Sequence, residues 1–177
     1  MRYIPWTWIT SWRCLACGQC CSFFRIVLRI YEYALITRSF GEGSTYIDSL
    51  GNPCLKKTRG RCIFQDDQGL CQLQQLGMKP QACKLWPFIV CKEPKKLSAD
   101  AAFRHRGGEY YVYVDTLYPC PGINRGNPQQ LQATIAEAIE CALNSTNQQR
   151  HTTAETAKIT RILHQTVHTY RQEKKRE

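Results

Sequence analysis

Trp12-Arg13-Cys14-Leu15-Ala16-Cys17-Gly18-Gln19-Cys20-Cys21 puts four cysteines within eight positions, and the apolar run Phe23-Phe24-Arg25-Ile26-Val27-Leu28 follows. Two residues between cysteines let one tight loop turn both sulfurs onto a single ion, which is why this spacing recurs in zinc and iron–sulfur sites. Gly18, between two of these cysteines, suits a backbone that must fold back sharply. The stretch points to a metal site, so the remaining cysteines are read against it.

The chain has 177 residues, enough for one ordinary domain with or without an appendage. A chain of that length buries roughly 70% of its unfolded surface and does not need cysteine staples. With 43% hydrophobic and 21% charged residues, a globular protein is expected. Eleven cysteines is an odd number and cannot pair completely into disulfides. The start, Met1 to Ile9, lacks the aliphatic core and small-residue cleavage site of a signal peptide, and no stretch reaches the ~20 apolar residues of a membrane helix. Reduced, metal-holding thiols in a cytoplasm are therefore the expectation, with no transmembrane segment. The formal charge of +10 falls to about +6 if eight thiolates hold two clusters with cores of about +2 each.

Local patterns give an α+β chain. Residues 1–13 are aromatic-rich and are expected to pack over the cysteine loop. Phe24 to Ile30 reads as a strand, and Tyr31 to Arg38 as a short helix stopped by Gly41 and Gly43. Arg61 to Phe64 and Leu70 to Leu73 read as hairpin arms around an Asp/Gly turn, with Cys62 and Cys71 on opposite arms. Gln75 to Cys83 reads as a loop, and Leu85 to Val90, broken by Pro87, as an edge strand at best. A second hairpin turns at Arg106-Gly107-Gly108, and Tyr118 to Gly126 is irregular. Asn127 as N-cap and Pro128 at the first helical position open a helix that buries Leu131, Ile135, Ala138, Ile139 and Leu143. Thr152 and Glu155 have capping-box spacing and open a second helix, with a stripe from Ile159 to Tyr170. The expected organisation is a small, mostly antiparallel sheet with cysteine-rich loops over residues 1–126, the metal-binding part. A two-helix extension over 127–177 packs on it.

The later cysteines fall in a recognisable order. Cys14-x-x-Cys17-Gly18-x-Cys20-Cys21 is followed by Cys62…Gly69-x-Cys71, by Pro80-x-x-Cys83…Pro87-Phe88 and by Cys120-x-Gly122. This order resembles the CxxCxxCC (YkgJ-like) family of zinc- or iron-chelating proteins, over roughly residues 12–126. Lys79 stands where such proteins often carry arginine before the proline, which keeps the charge. The resemblance implies a cysteine-ligated metal, with Cys14, Cys17, Cys20, Cys21, Cys62, Cys71, Cys83 and Cys120 as ligands. A related cysteine block occurs in flagellin lysine methylases, but no methyl-donor-binding glycine motif is evident here.

The spacing also suggests a partition. Cys14, Cys17 and Cys20 repeat the C-x2-C-x2-C loop of ferredoxins, where a remote cysteine before proline completes a cubane, and Cys120-Pro121 is of that kind. Cys21 would then join Cys62, Cys71 and Cys83 in a second four-thiolate set. Thiolate sites of this type take iron or zinc. Zinc prefers paired C-x2-C knuckles, and only the opening block has that form, so one or two [4Fe–4S] clusters are read ahead of zinc. Cys141 reads as a core residue, and Cys54 and Cys91 as unligated thiols. His164 and His168 share a helical face but read as solvated, Asp66-Asp67 as turn chemistry, and Tyr110, Tyr111 and Tyr113 as alternately buried strand residues rather than base-stacking platforms.

Three function classes remain. The leading one is an iron–sulfur protein for electron transfer or an accessory to a larger redox or maturation system, with a protein partner. The second is a zinc-stabilised binding module with a basic helical contact surface; nucleic acid contact is not favoured. The third is an iron–sulfur-assisted methyltransferase or oxidoreductase, for which no substrate motif or catalytic residue is visible.

Overall fold

The computed structural model describes residues 2–95, 97–145 and 149–153. The second predicted helix lies outside them, with its stripe, its basic residues and His164 and His168.

β1 (Tyr3–Pro5) begins the chain and is followed by a 3-10 turn over Trp6–Trp8. The cysteine loop then runs into α1 (Gln19–Phe23), whose N-cap is Gly18 at φ +70°. α2 (Ile30–Phe40) ends at Gly41, φ +82°, whose N–H donates to the Thr37 carbonyl. Two small ribbons follow: β2 (Thr45–Ile47) with β3 (Pro53–Leu55), and β4 (Lys57–Thr58) with β5 (Arg61–Cys62). Short helices α3 (Gln72–Gln75) and α4 (Gln81–Leu85) carry the chain to β6 (Phe88–Cys91). α5 (Ser98–Ala101), β7 (Ala102–His105) and β8 (Gly108–Asp115) complete the sheet, and α6 (Leu131–Ala142) closes the described fold.

The main sheet is antiparallel and centred on β8. β6 pairs along one side (Phe88↔Val114, Cys91↔Tyr111). β1 (Ile4↔Val114) and β7 (Phe103↔Tyr110) pair in succession on the other. β8 is buried continuously from Val112 to Asp115, not alternately, so the expected alternation is corrected. α6 covers the face bearing Val112 and Val114, while the Tyr113 hydroxyl accepts from the Lys95 amide.

Two apolar clusters hold the chain. The first packs Leu131, Ile135, Ala138 and Ile139 of α6 against Phe88, Val112, Val114, Ile9 and Trp12. The second gathers Ile26, Leu28, Ile36, Leu55, Phe64 and Leu73 between α2, the ribbons and α3. Asn127 accepts from the Gln129 amide as expected of an N-cap, although the first turn is 3-10. Leu143 is 44% exposed and does not share the buried face, because the helix has ended before it.

Three further expectations are corrected. Residues 24–30 form no named strand: Val27 makes one isolated bridge to Cys54, and the Leu28 and Leu55 amides bond to Pro53 and Ile26 carbonyls. Arg61–Cys62 pairs back on β4, and the arms around the Asp/Gly turn share the single bridge Gln65↔Cys71, because the chain enters α3 immediately. The turn is closed by Asp66, whose Oδ1 accepts from the Gln68 and Leu70 amides. The segment ending at Cys83 is not all loop, since α4 begins directly after Pro80.

Candidate metal centre

The eight cysteines named from the sequence all line one cavity of ≈ 100 Å³, while Cys54, Cys91 and Cys141 do not. All eleven are free thiols. Cys141 is buried in α6 as expected of a core residue, and Cys54 is buried beside Asp48 and Asn52.

The cavity lies between the two apolar clusters. Cys14 and Cys120 pack against the sheet cluster, and Cys20, Cys21, Cys62, Cys71 and Cys83 belong to or pack on the other. Cys17 is exposed. Backbone close approaches bring these pieces together. Gly69, in the hairpin turn at φ +81°, lies so near the opening loop that a Cβ there would sit 3.1 Å from the Ala16 carbonyl oxygen. A Cβ on Gly122 would collide with the Arg13 carbonyl. The Arg13 amide donates to the Gly122 carbonyl at 3.2 Å, and the Asn124 amide to the Ser11 carbonyl at 2.8 Å. These contacts give the glycines of the Gly-x-Cys and Cys-x-Gly blocks a packing reason.

The sulfurs sit in a mixed field. Burial pushes the Cys14 thiol up, against the Ala16 amide and Lys79. Burial likewise raises Cys62, against the Phe64 amide, and Cys71, against Lys79 and the Gln74 and Leu73 amides. Cys83 is pushed well above the ordinary thiol value by burial. Cys120 is raised by burial and opposed by the Trp12 indole, whose Nε1–H donates to its Sγ at 3.4 Å. Cys20 alone is drawn down, to about 6, chiefly because the Cys21 thiol donates to it; Cys21, as donor, is raised. Lys79 lines the cavity and its charge reaches Cys14, Cys20, Cys71 and Cys83.

No three His, Cys, Asp or Glu side chains among the described residues are arranged to hold an ion as they stand. The thiols ring the cavity, so binding would have to draw them inward. The donor set fits a thiolate-bound metal: soft sulfurs, amide N–H groups aimed at them and one nearby cation are what iron–sulfur and zinc–thiolate sites use. The Gln74 Oε1 is a buried acceptor without a partner, and Gln74 lines the same cavity.

Sequence reasoning missed the carboxylates that hold the walls. Glu32, 7% exposed, accepts the Arg29 amide at 2.9 Å and the Gln81 amide at 2.7 Å, fastening α2 to the start of the Cys83 helix. Its position three residues after Arg29 was the available signal. Glu137 accepts the amides of Arg150, His151 and Thr152 and the Thr152 hydroxyl, which seats Thr152 and Thr153 at the cavity wall. Nothing local in the sequence marks that second contact.

A family model, CxxCxxCC, described as a proposed zinc- or iron-chelating domain, matches residues 13–106. No curated protein and no solved structure matches the chain. Among the described residues no helix is long and apolar enough to cross a membrane.

Proposed function

Since the chain belongs to the CxxCxxCC family of proposed zinc- or iron-chelating domains, we propose that its cysteine cavity holds iron–sulfur chemistry, one or two [4Fe–4S] clusters. Their ligands would be Cys14, Cys17, Cys20, Cys21, Cys62, Cys71, Cys83 and Cys120. The observation that carries this reading is selective convergence: eight of the eleven cysteines, from five separate segments, line one cavity, and the other three stay out. The C-x2-C-x2-C spacing of the opening loop, three cysteines where a zinc knuckle carries two, favours iron–sulfur over zinc. The protein would serve electron transfer, or act as an accessory to a redox or maturation system, with a protein as partner in a cytoplasm.

Anaerobic purification tests this directly. Brown protein with broad visible absorbance, acid-labile sulfide and a reversible one-electron EPR signal is the expected outcome. Colourless protein with stoichiometric zinc overturns it in favour of a zinc-held module. The placement of the thiols between two apolar clusters is what favours that second reading, because an ion there would tie the two together.

A further inference from the structure

The cavity walls are unequal. On the inner side, Cys21 and Cys62 are buried in the second apolar cluster, and Cys71 and Cys83 pack against it. Cys20 packs on that side too. On the other side stand Cys14 and Cys120, against the sheet cluster, and the exposed Cys17. Cys120 is fixed there by the Trp12 indole and by the loop bonded to Arg13 and Ser11. Phe23 and Tyr118, 54% and 36% exposed, stack at 6.1 Å and 8° and line the same cavity. This side therefore offers three sulfurs, an opening to solvent and an aromatic rim.

We propose that the cavity contains two unlike metal positions. The inner is closed by Cys21, Cys62, Cys71 and Cys83. The outer is walled by Cys14, Cys17 and Cys120, and its remaining coordination position is open to an exogenous soft anion, a small thiolate above all. Closed thiolate sites are structural, whereas sites that keep a position for water or substrate bind and react. Soft donors suit a metal already held by thiolates, and the apolar rim suits a ligand with a small hydrocarbon body. Cys20 packs with the inner set and not with Cys14 and Cys120. The inference departs here from the spacing argument, which would use Cys20 to close the outer set. It rests on the metal-binding reading above.

The test uses the full chain, reduced with a phosphine, freed of metal and titrated anaerobically with Co2+, whose visible bands report thiolate number and geometry. Two Co2+ per chain are expected. Added 2-mercaptoethanol should then shift the bands saturably in the wild type and in Cys20→Ser, and the shift should be lost in Cys17→Ser and retained in Cys62→Ser. Circular dichroism of each metal-free variant checks that it folds as the wild type does. Two bound Co2+ with no thiol response in the wild type, and a response that emerges only in Cys20→Ser, overturns the open position and restores a closed outer site. A single Co2+ per chain overturns the two positions. No Co2+ binding at all overturns both positions, whereas the metal reading beneath them stands or falls separately on the iron, sulfide and zinc content of the protein as purified.

Discussion

Glu32 gives the sharpest test of how the metal wall is built. Its carboxylate accepts the Arg29 amide at 2.9 Å and the Gln81 amide at 2.7 Å, across 49 residues of sequence in the second case. A hydrogen bond to a charged group contributes about 1.5–3 kcal/mol, so Glu32→Ala, which strands two amides, would cost about 3–6 kcal/mol if water were excluded. Both contacts are only part-buried, so water replaces some of this and about 2–3 kcal/mol is expected. Glu32→Gln keeps one acceptor oxygen and should lose roughly half as much. That is a large share of the ~5–15 kcal/mol that stabilises a typical domain. Urea titration of the metal-free chain reads the loss. The second reading is kinetic: α4 carries Cys83, so metal should leave Glu32→Ala faster under a chelator. A loss below ~0.5 kcal/mol, within the range of an ordinary surface change, together with unchanged metal release, would refute the idea that Glu32 positions this wall.

Other outcomes follow from the same geometry. Glu137 is held below the ordinary carboxylate range: burial pushes it up, but the Thr152 hydroxyl and the His151, Thr152 and Arg150 amides outweigh it. A depressed folded value means its stabilisation is full above the unfolded glutamate value, near ~4.3, and is lost as pH falls through and below it. The stability difference between wild type and Glu137→Gln, measured by urea titration, should therefore shrink on acidification. Gly69→Ala meets both a φ of +81° and the Ala16 carbonyl oxygen at 3.1 Å, whereas Gly60→Ala meets only a φ of +79° with nothing within 4 Å. Each should lose about 1–2 kcal/mol for the left-handed backbone, and Gly69→Ala measurably more in the urea midpoint. Serine at Cys54, Cys91 or Cys141 should leave metal per chain unchanged by elemental analysis, since none of the three lines the cavity.

Much of the architecture could be read from the sequence where one local rule acted alone. Asn127 and Pro128 set the start of the last described helix, Arg106-Gly107 the main hairpin, and Pro87 confined β6 to a sheet edge. That these eight cysteines line one cavity was foreshadowed by their C-x2-C, Gly-x-Cys, Pro-x2-Cys and Cys-x-Gly blocks, which Cys54, Cys91 and Cys141 lack. Errors came where tertiary contact overrode propensity. Residues 24–30 have β-branched and aromatic composition, yet among the described residues their backbone partner is the short Pro53–Leu55 segment, so extended backbone forms without a ladder. The 75–83 segment looked like loop because of Gly77 and Pro80, but Pro80 marks the entry to α4, not a continuing coil. Glu32 and Glu137 were invisible as wall supports because their partners are backbone amides 49 and 13–15 residues away, which carry no side-chain signature.

The position of the cavity also bears on what the metal does for the fold. The sheet cluster and the α2 cluster are separate apolar bodies, and the opening loop contributes sulfurs to both sides of the space between them. Without an ion, six of those eight thiols are held in the neutral form, Cys21 chiefly by its hydrogen bond with Cys20 and the others chiefly by burial, and gain little from facing one another. Protein contacts across the gap do exist: α4 packs on α6, and Gln81 Nε2 donates to the Cys141 and Ala142 carbonyls at 2.7 and 2.9 Å. These belong to the α4 side, remote in sequence from Cys14 and Cys17. A bound ion would add the missing link at the opening loop, and because its ligands must be deprotonated, the energy it supplies depends on pH as metal–thiolate binding does. The Cys14–Cys21 stretch is then the part of the chain whose order depends most on metal, since it faces both clusters and its one regular element is α1, a single turn long.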